Sequence, residues 1–157
     1  MGTTPNRQLP YPELVDQANV PDDMQELALA LDTALYDTGW INGGTGATVA
    51  VADPTSFTLT GSFIRRVGNV VSVQVTGTLK VALTVAATGD IANTNLAQLA
   101  AAYRPAGAPT QALGPANLGR GLLCYVQPTG WITATAATGT TNMAIGEAVS
   151  VAGTYVL

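Results

Sequence analysis

The chain has 157 residues, a net charge of −4, only 10% charged residues, no histidine and a single cysteine. Its length allows one domain with its own core plus an appendage. The missing histidine removes the commonest general base and zinc ligand, one cysteine excludes an intrachain disulfide, and the acidic balance argues against nucleic acid as a partner.

Residues 1–20 hold Pro5, Pro10 and Pro12. Proline removes a donor and pushes its predecessor toward extended backbone, so this stretch is expected to be an extended arm. Leu9, Pro10, Tyr11 and Pro12 have no local core to enter and are the candidate anchoring residues. No apolar run approaches the ~20 residues of a membrane span, and the opening residues lack the apolar core of a signal peptide. Synthesis and folding in the cytoplasm are therefore expected.

Residues 21–38 read as a helix. Asn19 or Asp22 can cap it, Pro21 suits its first turn, and Asp22, Asp23 and Glu26 complement the dipole at its N-terminal end. Met24, Leu27, Ala28, Leu31, Ala34 and Leu35 recur at spacings of three and four, giving one apolar stripe. A helix this short is marginal in water and must pack on something. Its own β domain is one option. A stem shared by three chains, with Met24, Leu27, Leu31 and Leu35 at its seam, is the preferred one. Residues 39–47, with Gly43, Gly44 and Gly46, read as a flexible hinge. They follow a helix rather than precede one and lack a Lys-Ser/Thr pair, so a phosphate cradle is not expected.

Residues 48–157 carry β signals. Thr48–Ala52, Ser56–Val67, Asn69–Thr76 and a run from Lys80 through Val85 are rich in β-branched residues, and Val71, Val73 and Val75 alternate with polar neighbours. Gly68-Asn69 and Pro128-Thr129-Gly130 are expected turns. Gly121–Gln127, Trp131–Ala136 and Ala148–Leu157 complete the strands. Thr94–Tyr103 has helical residues and is expected to form a helical turn or structured loop. Residues 106–116 read as a long loop. The fold class is mainly β: an antiparallel β-sandwich head, jelly-roll-like, behind an arm and one short helix.

Charge divides the chain the same way. Eight acids, Glu13 through Asp53, are opposed only by Arg7, whereas the remainder carries Arg65, Arg66, Lys80, Arg104 and Arg120 against Asp90 and Glu147. A body so poor in charge is cheap to bury against copies or partners.

Little here suggests catalysis. Asp53, Asp90 and Glu147 are far apart in sequence, whereas a glycosidase needs two carboxyls roughly 5–10 Å apart. Cys124 lies in the apolar run Leu122–Val126 and reads as a buried small hydrophobe. No catalytic, cofactor-binding or metal-ligating residue is assigned, and the chain is read as a non-enzyme. Tyr103, Tyr125 and Trp131 are candidate glycan contacts, since ring faces stack on sugars; placement in a core or an interface is the competing reading.

Four segments carry a resemblance: Gly89-Asp90-Ile91-Ala92, Leu99-Ala100-Ala101-Ala102-Tyr103-Arg104-Pro105, Gly130-Trp131-Ile132, and the ending Val151–Leu157. They resemble the head domains of phage tail fibres and related virion fibres, which commonly carry Leu-Pro-x-Gly-Tyr-Arg-Pro. Here Ala100 and Ala102 replace the proline and glycine. The segments Leu9–Glu13 and Val20–Ala28 resemble the start of small structural proteins of actinobacterial phages. The resemblance implies a homotrimeric virion protein, a tail or baseplate fibre or minor tail protein. Residues 1–20 would grip other virion proteins, and the head would be free to bind a host-surface glycan. A capsid fibre or decoration protein is the alternative, and a carbohydrate-binding module of a cellular protein is the alternative from another class.

Overall fold

The computed structural model describes residues 2–3, 10–11, 20–107, 112–115 and 121–157. Alternating burial along the β-branched segments sets the architecture. In the strand Val70–Leu79, Val71, Val73, Val75 and Leu79 are buried, whereas Ser72, Gln74 and Thr76 lie at least partly in solvent. Such a strand can cover a core on one face and meet water on the other.

The strands in chain order are β1 (Gly2–Thr3), β2 (Pro10–Tyr11), β3 (Ile41–Asn42), β4 (Ala50–Ala52), β5 (Phe57–Val67), β6 (Val70–Leu79), β7 (Asp90–Leu99), β8 (Ala112–Pro115), β9 (Leu122–Val126), β10 (Trp131–Ala137) and β11 (Ala148–Val156). One helix, α1 (Val20–Ala34), precedes β3, and a 3-10 turn, Ala101–Tyr103, follows β7. Among the described residues β1 pairs with β2 alone, and the other nine strands hydrogen-bond in the order β3-β5-β6-β11-β8-β9-β10-β7-β4. All the pairings are antiparallel. The protein is thus mainly β, with antiparallel sheets and, among the described residues, one short α-helix.

Strand β8 joins two halves. Its residues Gly114 and Pro115 pair with Ala152 and Val151 of β11, and Ala112 and Leu113 pair with Tyr125 and Cys124 of β9. Side chains from both halves enter one cluster: Phe57, Ile64, Val71, Val151 and Tyr155 from one, Leu96, Leu99, Leu122, Val126 and Ile132 from the other. Burying such a side chain contributes roughly 1.5–3 kcal/mol, so this cluster dominates the stability of the head. The two ends of the nine-stranded order also approach each other: the Ser56 hydroxyl, just before β5, donates to the Asn95 carbonyl of β7.

Two turns form as expected. Gly68-Asn69 closes the β5–β6 hairpin between paired Val67 and Val70, with Gly68 at φ +56°. The Gly130 N–H donates to the Gln127 carbonyl at 2.8 Å, closing the β9–β10 turn with Gly130 at φ +86°.

Five expectations are corrected. The helix stops at Ala34, not at 38, because Asp37 bridges to Val67 and the chain turns along β5. Residues 39–47 are not a flexible hinge. Ile41 and Asn42 pair with Ile64 and Phe63, and the Gly43 N–H donates to the Ser62 carbonyl at 2.9 Å. A Cβ at Gly43 would lie 2.6 Å from both Ser62 Oγ and Val49 Cβ, so glycine is there for close packing. Thr94–Leu99 is strand, not helix: pairing with β10 on one side and β4 on the other overrides local propensity, leaving only Ala101–Tyr103 in a helical turn. Residues 106–116, read as loop, contain β8. The run from Lys80 to Val85, expected as a strand, buries Leu83 and Val85 but joins no sheet; Leu83 makes an isolated bridge to Met143.

Candidate self-association surface and head faces

The acids of the head are tied to their own neighbours. Asp53 accepts from the Thr55 N–H at 2.9 Å, the Thr55 hydroxyl at 2.5 Å and the Ser56 N–H at 3.2 Å. These bonds, the Thr55 hydroxyl foremost, hold its carboxyl below the usual aspartate value. Asp90 accepts from the Thr88 hydroxyl at 2.6 Å, and Glu147 accepts from the Ala144 N–H at 2.9 Å. Among the described residues no group of three or more acids or cysteines could hold a metal ion. Cys124 is buried, and that burial pushes its thiol up to about 12.

The apolar side chains of α1 lie on the outside. Met24 is 66% exposed, Leu27 37%, Leu31 38% and Leu35, just past the helix end, 59%. On a seven-residue period Met24 and Leu31 share one seam position and Leu27 lies at the other; Asp22, Glu26 and Asp32 fall away from the seam and Asp23 flanks it. Among the strands, α1 packs beside β2. Each half of the sheet has its inner face in the head core, so the seam does not contribute to that core.

The segment after α1 is strapped to β5. The Gly68 N–H donates to the Tyr36 carbonyl at 2.8 Å, and the Thr38 N–H donates to the Arg66 carbonyl at 2.9 Å. The Arg66 N–H donates back to the Thr38 hydroxyl at 2.9 Å. Arg65 grips the Asp37 carboxylate with two bonds, Nε at 3.0 Å and Nη2 at 2.6 Å. That pair, helped by the Gly39 N–H, holds the Asp37 carboxyl below its usual value. The strap fixes where α1 leaves the head. A groove of about 390 Å³, lined by Leu29, Asp32, Tyr36 and Arg66, lies between helix and hairpin.

The expected site residues separate. Leu9 and Pro12 lie outside the described residues; Pro10 and Tyr11 form β2, paired with Thr3 and Gly2. Tyr125 and Trp131 share the outward face of β9 and β10, because their neighbours Val126 and Ile132 are paired and fully buried. They are diagonal neighbours on that side, roughly 7–8 Å apart; Thr133, which pairs with Tyr125, is buried and bonded to Gln127 and Asn95. Tyr125 and Trp131 are only partly exposed.

Tyr103 belongs elsewhere. Its carbonyl accepts from the Tyr155 hydroxyl at 2.6 Å. The Arg104 Nε–H donates to the Leu99 carbonyl at 3.0 Å, and a Cβ on Gly130 would lie 2.8 Å from the Arg104 side chain. The Leu99 N–H donates to the Gly130 carbonyl at 2.9 Å. Three of the segments that carry the fibre resemblance thus interlock; Tyr103 gives its main-chain carbonyl to that knot, and its ring packs partly buried against the core.

The sequence reading did not select Tyr36 or Trp40, at 58% and 60% exposure the most open aromatic rings among the described residues. Their signal was their place: two large rings beside Gly39, between an apolar-striped helix and a strand.

Comparison with family models, curated proteins and solved structures returns no match. No helix of the described residues is long and apolar enough to cross a membrane.

Proposed function

We propose that the chain is a structural subunit of a phage particle: a homotrimeric tail or baseplate fibre, or minor tail protein. Residues 1–20 attach it to other virion proteins, α1 forms a three-chain stem, and the β head, a jelly-roll-like sandwich, projects toward the host surface. One observation carries this reading: the leucine seam of α1 is exposed although the helix is too short to be stable by itself. No acid occupies a seam position of α1, although Asp23 flanks the seam beside Met24. The same arrangement supports a structural role over a catalytic one, since the head's acids are engaged in its own turns. Tyr125 and Trp131 supply the aromatic face that a host glycan would stack on.

The test is the mass of the full chain in solution at micromolar concentration. A trimer that becomes a monomer in the double variant Leu27→Asp/Leu31→Asp, with the β signal of the head unchanged, supports the stem. A wild-type monomer overturns it. Labelling of intact particles then places the subunit on tail or capsid; absence from particles refutes the virion role.

A further inference from the structure

We infer that the groove between α1 and the β5–β6 hairpin is a binding site for a short uncharged saccharide, held by Tyr36, Asp32 and Arg66. The site does not depend on the stem, and it lies apart from the Tyr125–Trp131 face.

The groove forms where the core face of β5 runs out. Arg66 pairs with Val71, which is fully buried, whereas Asp37 bridges to Val67 on the other face. Arg66 and Tyr36 therefore turn to the same side, and Leu29 and Asp32 of α1 complete the lining there. Leu29, Asp32 and Tyr36 follow spacings of three and four. On a seven-residue period they lie opposite Met24, Leu27 and Leu31, so the groove stays open when the seam is covered. The site also gives a role to Leu29, which is 58% exposed and belongs to neither seam nor core.

The lining has the chemistry of sugar recognition. The Tyr36 residue is 58% exposed, and ring faces stack on the C–H faces of pyranoses. The Arg66 Nε–H donates to the Gly68 carbonyl at 2.7 Å, which fixes the guanidinium and leaves its two terminal nitrogens to donate. The Asp32 carboxylate is an acceptor only. Among the described residues no hydrogen bond or ion pair engages that carboxylate or those two nitrogens. Sugar hydroxyls both donate and accept, so one saccharide can satisfy both groups. One acid and one base leave no net charge, which favours an uncharged sugar over an acidic one. The volume of about 390 Å³ lies within the ~300–1,000 Å³ of small-ligand pockets. An extended peptide is the poorer fit, because the main chain along the groove is already paired. The Tyr36 carbonyl accepts from the Gly68 N–H, and the Arg66 N–H and carbonyl both bond to Thr38.

The test is saturation-transfer NMR on the full chain with the methyl glycosides of glucose, galactose, mannose and N-acetylglucosamine. The methyl glycoside of glucuronic acid is the charged control. At least one neutral glycoside is expected to receive saturation on its C–H protons, more strongly than the glucuronide. Asp32→Asn and Tyr36→Ala should each weaken that binding about tenfold or more. Both side chains are exposed and the strap uses only the Tyr36 main chain, so the urea midpoint should hold; if one variant lowers it, the other decides. Tyr36→Phe keeps the ring and should bind, and Leu27→Asp/Leu31→Asp should bind like the wild type. No transfer to any neutral glycoside overturns the site, as does a glucuronide that binds more tightly than all of them. Binding unchanged in Asp32→Asn and Tyr36→Ala but lost in Trp131→Ala puts the sugar on the outer face of β9 and β10. That result overturns the groove and leaves the proposed function standing.

Discussion

Replacing Tyr155 by phenylalanine removes one atom from the joint where the closing strand meets the 3-10 turn. The ring is 1% exposed and its hydroxyl donates to the Tyr103 carbonyl at 2.6 Å. A net hydrogen bond contributes about 0.5–1.5 kcal/mol, and leaving a buried carbonyl unsatisfied costs about 1–3 kcal/mol. Tyr103 is half-buried, so water can partly replace the lost donor, and the expected loss is about 1–2 kcal/mol. For a chain of this length that lowers Tm by roughly 2–8 °C. Urea unfolding at fixed protein concentration should show a lower midpoint at unchanged slope. Burial, and secondarily the nearby Tyr103, hold the hydroxyl well above the ordinary tyrosine value of 10.0. A folded-state value raised in this way keeps the proton bound longer in the folded than in the unfolded chain. Its contribution is therefore intact below pH 10.0 and declines as pH rises through the folded value. Tyr155→Phe should be less sensitive to alkali than the wild type. A variant within about 0.3 kcal/mol of wild type, with the same alkaline limb, would refute the assignment of this hydroxyl to the joint.

Gly77→Ala should cost about 3 kcal/mol or more, because its Cβ would fall 2.1 Å from the Thr58 carbonyl oxygen and 2.4 Å from the Phe57 ring. Trimming the ring with Phe57→Leu should not rescue it, since the carbonyl stays; a loss below about 1 kcal/mol in urea unfolding would contradict the geometry. The Cys124 thiol, buried and pushed up to about 12, should resist alkylation near neutral pH in the folded chain and react readily in denaturant. Rapid labelling of the folded chain would refute this placement.

The sequence was most legible where one physical signal acted alone. The alternation in Val71–Val75 marked one face of β6, and the two glycine turns marked the hairpins, because side-chain period and positive φ are local properties. It misled where distant pairing decided. Leu96, Leu99 and Ala100 sit at helical spacing, yet β10 and β4 claim that segment as the strand between them. Gly43 resembled a hinge because sequence cannot tell a glycine that bends from a glycine that lets Val49 and Ser62 close in. Strand β8 was hidden because Ala112–Pro115 has neither alternation nor β-branched residues; it is a strand only because β11 and β9 hydrogen-bond to it. At the candidate surface the stripe on α1 was readable from its spacing, whereas the groove joins α1 to Arg66 of β5 and required the strap. The aromatic candidates were sorted by the same long-range register, which puts Tyr125 and Trp131 on one face and assigns Tyr103 to the knot.

The strap also bears on why the helix seam should look outward for its partner. For α1 to fold back over the head it would have to release the bonds linking Tyr36 to Gly68 and Thr38 to Arg66, and the ion pair of Asp37 with Arg65. The inner faces of both half-sheets are already filled, so the reward would be contact with the outer, polar face. A second copy can cover the seam with the strap intact. At about 25 cal/mol per Å², the exposed parts of Met24, Leu27, Leu31 and Leu35, on the order of 350 Å² on each of two copies, give at most roughly 18 kcal/mol. That upper bound only modestly exceeds the roughly 4–15 kcal/mol that association itself costs. With so narrow a margin, even the single replacement Leu27→Asp is expected to weaken the assembly, read as a lower mass at micromolar concentration.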